Sequence, residues 1–379
     1  MSAQDLTTDP FQSIRPYRDS EVSEVLSRMV RDNELVDVIT HYQFPRLPKF
    51  LRRLLRPVIR IALAAKVGEI ESITSFQMMV AGYMTKMISR TTTKLSCSGI
   101  DRLDPQEAYL FVSNHRDIAM DPAFVNWALY QYGMNTVRIA IGDNLLRKPY
   151  VSDLMRLNKS FIVKRSLKAP REMMAAMTQL SEYIDHSIHT GHSVWIAQRE
   201  GRSKDGNDKT DPTLLKMFYM SHRKQRTFAE MVERLNIVPV SISYEFDPCD
   251  AVKARELAAI AKDGKYQKSE FEDIDSIVRG ITGNKGHVHV DFGEPIRGQF
   301  ETPEALAAEV DRQILGGYYL HATHLAAADR AESDGAKTVF DQRLEQVDDD
   351  AKAFLKAMYA NPVFNRERIE AQPKDQMNA

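Results

Sequence analysis

From about residue 96 to 325, short apolar runs alternate with stretches of helical periodicity, and this alternation constrains the fold more than any other feature. Runs at 107–113, 136–141, 160–164, 193–197, 237–243 and 287–292 read as strands. Stretches at 122–132, 151–157, 170–188, 226–235, 251–262 and 303–315 read as helices. Asp121-Pro122 and Thr302-Pro303-Glu304 are helix-start signals, and Gly133 is a stop. Strands separated by helices pair in parallel, because each helix carries the chain back to the same end of the sheet. The expected class is α/β: a layered fold around a mostly parallel sheet, with an N-terminal helical segment and a C-terminal helical tail.

The flanks differ in character. Residues 1–45 read as a weakly ordered N-terminal segment, 46–95 as an amphipathic helical segment, 96–325 as the main domain and 326–379 as a charged helical tail. From Pro48 to Lys66, Leu51, Leu54, Leu55, Val58, Ile59 and Ala62 share one helical face, with Arg52, Arg53, Arg56 and Arg60 on the other. Seven basic and no acidic residues lie between Arg46 and Lys66, a pattern suited to an anionic membrane surface. The alternative is a helix packed on its own domain with solvated arginines. Pro57 predicts a kink. The polar stretch 203–211 reads as a mobile loop. In the tail, helices are expected near 337–346 and 350–360, the second ended by Asn361-Pro362.

With 43% hydrophobic and 27% charged residues, the chain has the balance of a globular protein. No stretch reaches the ~18 consecutive apolar residues of a membrane span, and the polar first thirty residues show no secretory signal. Two cysteines, Cys97 and Cys249, make no disulfide framework, so a cytoplasmic location is expected. The formal net charge of -1 names no partner, and no nucleic-acid partner is expected.

Four segments carry candidate chemistry. Asn114-His115 follows the first apolar run, and Asp121-Pro122 opens the next helix. A histidine with a nearby carboxylate suits general-base chemistry: neutral imidazole takes a proton near pH 7 while the carboxylate fixes its tautomer. Five residues separate His115 from Asp121, and Asp117 is the other carboxylate within reach. Ser160 to Arg165 places Lys164 and Arg165 at the end of a strand, where cations bind phosphate. Trp195 to Gly206 runs from a strand into a cationic turn. There Gly201 allows close backbone approach, and Arg202 offers a planar fork for phosphate. Pro239 interrupts the apolar strand Ile237–Glu245, a mark of an edge, a bulge or a wall facing a ligand.

In this order the four segments resemble the four blocks of the glycerolipid acyltransferase family, which includes glycerol-3-phosphate and lysophosphatidate acyltransferases. Asn114-His115 through Asp121-Pro122 resembles the first block, Ser160–Arg165 the second, Glu200-Gly201-Arg202-Ser203 the third and Val238-Pro239-Val240 the fourth. Two spacings depart from the family. It places four residues between histidine and aspartate rather than five, and one more between the glutamate and arginine of the third block. The resemblance implies a glycerol-phosphate acyltransferase-like fold over about 100–300. It implies that His115 and Asp121 are catalytic, with Asn114, Arg165, Gly201, Arg202 and Pro239 binding substrate. The reaction would move a fatty acyl group from acyl-CoA or acyl carrier protein to a hydroxyl of glycerol-3-phosphate or lysophosphatidate, at the cytoplasmic face of a membrane. No other cofactor and no metal is required. Helix 170–188, with Met173, Met177, Leu180 and Ile184 on one face, reads as core or as a wall of the acyl slot.

Two rival readings exist. His287-x-His289 and His321-x-x-His324 have metal-ligand spacing without a patterned third ligand, which would suit a metal-dependent hydrolase. A catalytically inactive lipid-binding domain of the same family is the other. No Gly-x-Ser-x-Gly elbow of a serine hydrolase is present.

Overall fold

The computed structural model describes residues 9–371 except 45, 270, 271 and 332, so the first eight residues of the N-terminal segment and the last eight of the tail lie outside the described residues. Among the described residues the strands are β1 Thr92–Ser98, β2 Leu110–Ser113, β3 Arg138–Gly142, β4 Ser160–Val163, β5 Val194–Ala197, β6 Ile237–Tyr244 and β7 Gly286–Phe292. The chain divides into two compact units: Met1–Tyr83 with Arg138–Ala176, and Met84–Val137 with Met177–Ala379.

In the first unit β3 and β4 pair in parallel, Ile139 opposite Ser160. Its core gathers Val22, Val25, Leu26, Met29, Ile70, Ile73, Phe76 and Leu157. Residues 19–43, expected to be weakly ordered, instead form helices Asp19–Arg31 and Asn33–Gln43. The polar composition hid a helical stripe: Val22, Val25, Leu26 and Met29 recur at spacings of three and four and bury one face. Arg18 N–H donates to Glu21 (2.7 Å) at the first helix start, and Asp32 accepts from Glu34 and Leu35 N–H at the second.

The basic segment breaks into helices Lys49–Leu54 and Arg56–Val67, with Pro57 in the first turn of the second. Its amphipathic faces point opposite to the packed-helix expectation. Arg56 is paired with Asp37, Arg60 donates to Asn33 Oδ1 (2.7 Å) and Arg31 O (3.1 Å), and Arg52 meets His41. Several apolar side chains turn outward, with Leu54 and Ile61 each 71% exposed and Phe50 and Val58 close behind, while Leu55 and Ile59 are half-buried.

The second unit holds five strands in the order β1-β7-β6-β2-β5, all parallel neighbours except the antiparallel pair β6–β7. This mixed, mostly parallel α/β arrangement is the expected class. Strands β2 and β6 are buried at every position, as central parallel strands covered on both faces must be. β7 alternates buried and partly exposed residues, so one of its faces is open. β1 was not expected as a strand, because Thr92-Thr93-Lys94-Leu95-Ser96-Cys97-Ser98 has too little apolar character to signal one.

Two further expectations fail in this unit, and for one reason. The helix Asp349–Glu370 continues through Pro362 instead of ending there. Gly206 (φ +78°) presses its backbone against the Met358 carbonyl and Pro362 ring so closely that no Cβ fits. Asn361 Nδ2 donates to Asp205 O (2.6 Å), and Asn365 Nδ2 to Gly206 O (3.4 Å). The stretch 203–211 is thus a docked segment rather than a free loop. Ser203, Asp208 and Thr210 are buried, and Thr210 N–H donates to Asp311 (2.7 Å). The C-terminal helices in turn bury Phe340, Val347, Leu355, Met358, Tyr359 and Val363 against Ala254, Ala326 and Ala327.

Candidate active site

His115 leaves the C-terminal end of β2, and Asp121 lies in the first turn of the helix Met120–Gln131. His115 Nδ1 is 2.9 Å from Asp121 Oδ2. An ionised carboxylate only accepts, so this contact puts the proton on Nδ1 and leaves the lone pair on Nε2. His115 is 15% exposed at its side chain while Asp121 is fully buried, so the imidazole edge faces out from an enclosed partner. The Trp195 ring packs edge-on against the imidazole, with centroids 5.8 Å apart.

Between His115 and Asp121 the chain turns at 118–119. Asp121 Oδ2 also accepts from the N–H groups of Arg116 (2.6 Å) and Asp117 (2.9 Å), so the chain wraps around the carboxylate. Asp117 has a separate task, accepting from Ala119 and Met120 N–H at the helix start. Burial first, and the Asp121 charge second, push the Asp117 carboxyl up to about 6. The second oxygen of Asp121, Oδ1, accepts from the Tyr244 hydroxyl at 2.6 Å.

Behind the histidine lies a buried ionic network that sequence reasoning missed. Arg116, 4% exposed, donates to Asp208 Oδ2 (2.7 Å) and lies over the Tyr318 ring. Lys253 donates to the Arg116 carbonyl (2.6 Å) and to Asp247 (2.5 Å). Burial of these charges is tolerable only because each has an opposite partner within hydrogen-bond reach. The signal in the sequence was the charge density of 203–211, which reads equally as solvation.

The remaining site residues divide. Asn114, expected to bind substrate, is fully buried; its side chain accepts from Ile242 N–H (2.8 Å) and donates to Ile242 O (2.9 Å). Its amide thus extends the β2–β6 pairing, and Nδ2 also lies 3.4 Å from Asp208 Oδ2. Pro239 is likewise buried within β6, at the point where the ladder with β7 begins at Val240. Its carbonyl accepts from Gly293 N–H (2.8 Å), so the missing donor faces the residue just past the end of β7.

The third block is tied to the first: Ser203 N–H donates to the His115 carbonyl and Gln198 N–H to that of Ser113, both at 2.7 Å. Gly201 is exposed at φ +78°, and Arg202 Nη2 lies 3.4 Å from Ser276 Oγ. Arg165 belongs to the other unit, where it follows β4. Its N–H donates to Asp143 Oδ1 (3.1 Å), and Ser166 Oγ donates to Asp143 Oδ2 (2.5 Å). In helix Pro170–His189, Leu180 and Ile184 are core residues, whereas Met173 and Met177 are exposed. His287 and His289 both hydrogen bond to Ser96, and His289 also to Ser98. Among the described residues no three His, Cys, Asp or Glu side chains converge as a metal-ligand set.

Residues 94–244 match the sequence model of the family described as Acyltransferase. The chain is 26% identical over 235 residues to the glycerol-3-phosphate acyltransferase of Pseudomonas syringae pv. tomato, covering 60% of this chain and 26% of that protein. To the enzyme of the same name from Actinobacillus succinogenes it is 31% identical over 189 residues, covering 49% and 21%. The chain thus spans about a quarter or less of the length of these curated relatives. The solved 1-acyl-sn-glycerophosphate acyltransferase from Thermotoga maritima aligns over 78% of this chain and 93% of its own, at 12% identity and a TM-score of 0.35. The His115–Asp121 pair lies inside the segment 94–244 that is similar to the acyltransferase family.

Proposed function

We propose that this chain transfers a fatty acyl group from an acyl thioester, acyl-CoA or acyl carrier protein, to a hydroxyl of a glycerol-phosphate acceptor. The observation that carries the reading is the His115 Nδ1–Asp121 Oδ2 hydrogen bond, which leaves Nε2 at the exposed edge as a base. As the acceptor hydroxyl attacks the thioester carbonyl, its proton passes to Nε2 and a C–O bond forms. Asp121 stabilises the imidazolium. Collapse of the tetrahedral adduct breaks the C–S bond, and the proton on Nε2 goes to the leaving sulfur. No acyl-enzyme intermediate is needed. The glycerol-3-phosphate acceptor follows the names of the relatives; lysophosphatidate is the competing acceptor. Phosphate binding by Arg202 and by Arg165 rests on the resemblance of their blocks, and each arginine is tested alone by the acceptor KM of its glutamine variant.

The outward-facing Phe50, Leu54, Val58 and Ile61 support contact with a membrane surface through apolar insertion. Among the described residues no helix is long and apolar enough to cross a membrane.

The test is product analysis by mass spectrometry. Wild-type and His115→Ala protein receive mixed acyl-CoA and acyl carrier protein donors, with glycerol-3-phosphate and lysophosphatidate competing as acceptors. The expected result is an acylated product from wild type that falls at least about 10²-fold in the variant. Equal turnover by a folded His115→Ala variant removes the base assignment, and no product from either acceptor removes the reaction.

A further inference from the structure

We infer that Tyr244 is a positioning residue that sets the basicity of His115 through Asp121; the catalytic meaning of this rests on the function proposed above. Asp121 has two oxygens with unequal duties. Oδ2 faces His115 Nδ1 and two backbone N–H groups, while Oδ1 has the Tyr244 hydroxyl at 2.6 Å. A carboxylate rotates about one bond, so fixing Oδ1 fixes the direction in which Oδ2 meets the imidazole. Tyr244 is the last residue of the fully buried β6, and its ring packs edge-on against Phe124 of the helix that carries Asp121. The phenol therefore has little freedom to turn away.

The chemistry of the contact goes beyond orientation. Burial, together with the Asp121, Asp117 and Asp247 carboxylates, raises Tyr244 well above the usual phenol range, so it stays a donor at any working pH. As a donor it draws charge from Asp121 that would otherwise bear on the His115 Nδ1–H. The other groups around this pair are Arg116, whose N–H binds the same carboxylate, the Asp117 carboxyl, and the Trp195 ring against His115. None of them meets Oδ1 in the geometry described. Loss of the phenol proton concentrates charge on the carboxylate and favours the imidazolium, so the base is held protonated to higher pH.

The test compares wild type with Tyr244→Phe, which keeps the ring and its packing. The His115 ring is titrated by NMR in both proteins, a readout that needs no substrate. We expect its midpoint to rise by about one pH unit in the variant, since a hydrogen bond to a buried charged group typically carries a tenfold to hundredfold effect. With substrates, kcat at pH 7 should fall about 10-fold, the acceptor KM should stay within about 2-fold, and the acid limb of kcat/KM should move upward with the ring titration. A merely structural tyrosine would lower activity without moving that limb.

Should Tyr244→Phe not fold, site-specific 3,5-difluorotyrosine at 244 gives the opposite perturbation. As a stronger donor, it should move the His115 midpoint down. An unchanged midpoint in the variant that folds overturns the inference. Absence of acyl transfer by wild type overturns the proposed function and leaves the NMR result to decide the role of Tyr244.

Discussion

Asp208→Ala should unfold the second unit far more easily than its place in a charged surface-like stretch suggests. Arg116 is 4% and Asp208 2% exposed, and their contact of 2.7 Å is buried on both sides. Deleting one partner of such a pair costs about 3–5 kcal/mol, because the other charge stays out of water without compensation. The lower end applies, since Asp247 still acts on Arg116 and the Tyr318 face still covers it. Lys204 and Glu256, paired nearby, are unaffected. The expected loss is therefore about 3 kcal/mol, against a typical total stability of about 5–15 kcal/mol. Both tryptophans, Trp127 and Trp195, lie in the second unit, so tryptophan fluorescence during urea unfolding reports on it directly. The midpoint should fall with little change in slope. A matched control is Arg116→Met with Asp208→Leu, which removes both charges and should lie within about 1 kcal/mol of wild type. A loss below about 1 kcal/mol in Asp208→Ala, or a double variant as unstable as the single one, would show that the Arg116–Asp208 pair does not hold this unit together.

Two further outcomes follow from the same structure. The Asp117 carboxyl titrates at about 6 when folded against a reference of 3.8, so the stability it contributes is complete below about pH 4 and lost as pH rises to 6. Asp117→Asn keeps an acceptor for Ala119 and Met120 N–H, and should gain up to about 2 kcal/mol over wild type at pH 7.5 but nothing at pH 4, measured by unfolding at both pH values. At the other end of the chain, Leu54→Gln with Val58→Gln and Ile61→Gln should reduce partition onto anionic vesicles at least about 10-fold, since each fully buried side chain of this kind contributes about 1.5–3 kcal/mol. In the same flotation assay Arg56→Gln should change little, because Arg56 is already held by Asp37; the reverse order of effects would return the membrane contact to the arginines.

The strands β2 to β7 and most helices between them were legible because a buried strand must be apolar along its length and a packed helix must be apolar along one stripe; the helices Pro212–Tyr219 and Glu272–Thr282 were not expected. β1 escaped because it pairs at the sheet edge with β7 and leaves Thr93 and Lys94 exposed, so its sequence needs no apolar run. The N-terminal helices escaped because a stripe of four residues suffices to anchor Asp19–Arg31, and its remaining positions lower the average. Pro362 misled for a tertiary reason. The helix carries on past it with Met358 and Pro362 packed against the backbone of Gly206, a residue more than 150 positions earlier.

The candidate site was legible in its chemistry and not in its support. His115 and Asp121 are paired on the resemblance, through the Asp121-Pro122 helix start, although Asp117 stands nearer in sequence. What separates the two carboxylates is the turn. The N–H groups of Arg116 and Asp117 converge on Asp121, while Asp117 points back to cap the helix start. That choice depends on holding the Arg116 carbonyl from behind with Lys253, and its side chain with Asp208, residues 137 and 92 positions away. A sequence records such partners only as isolated charges, and an isolated charge looks the same whether it faces water or a buried counterion. Asn114 shows the converse. The resemblance implies a ligand contact there; in the structure its amide pairs with the buried Ile242 N–H and C=O, which cannot be left unpaired. The polar residues behind His115 are thus engaged with the protein itself, and substituting Asp208 or Lys253 should disturb the turn that sets His115 beside Asp121.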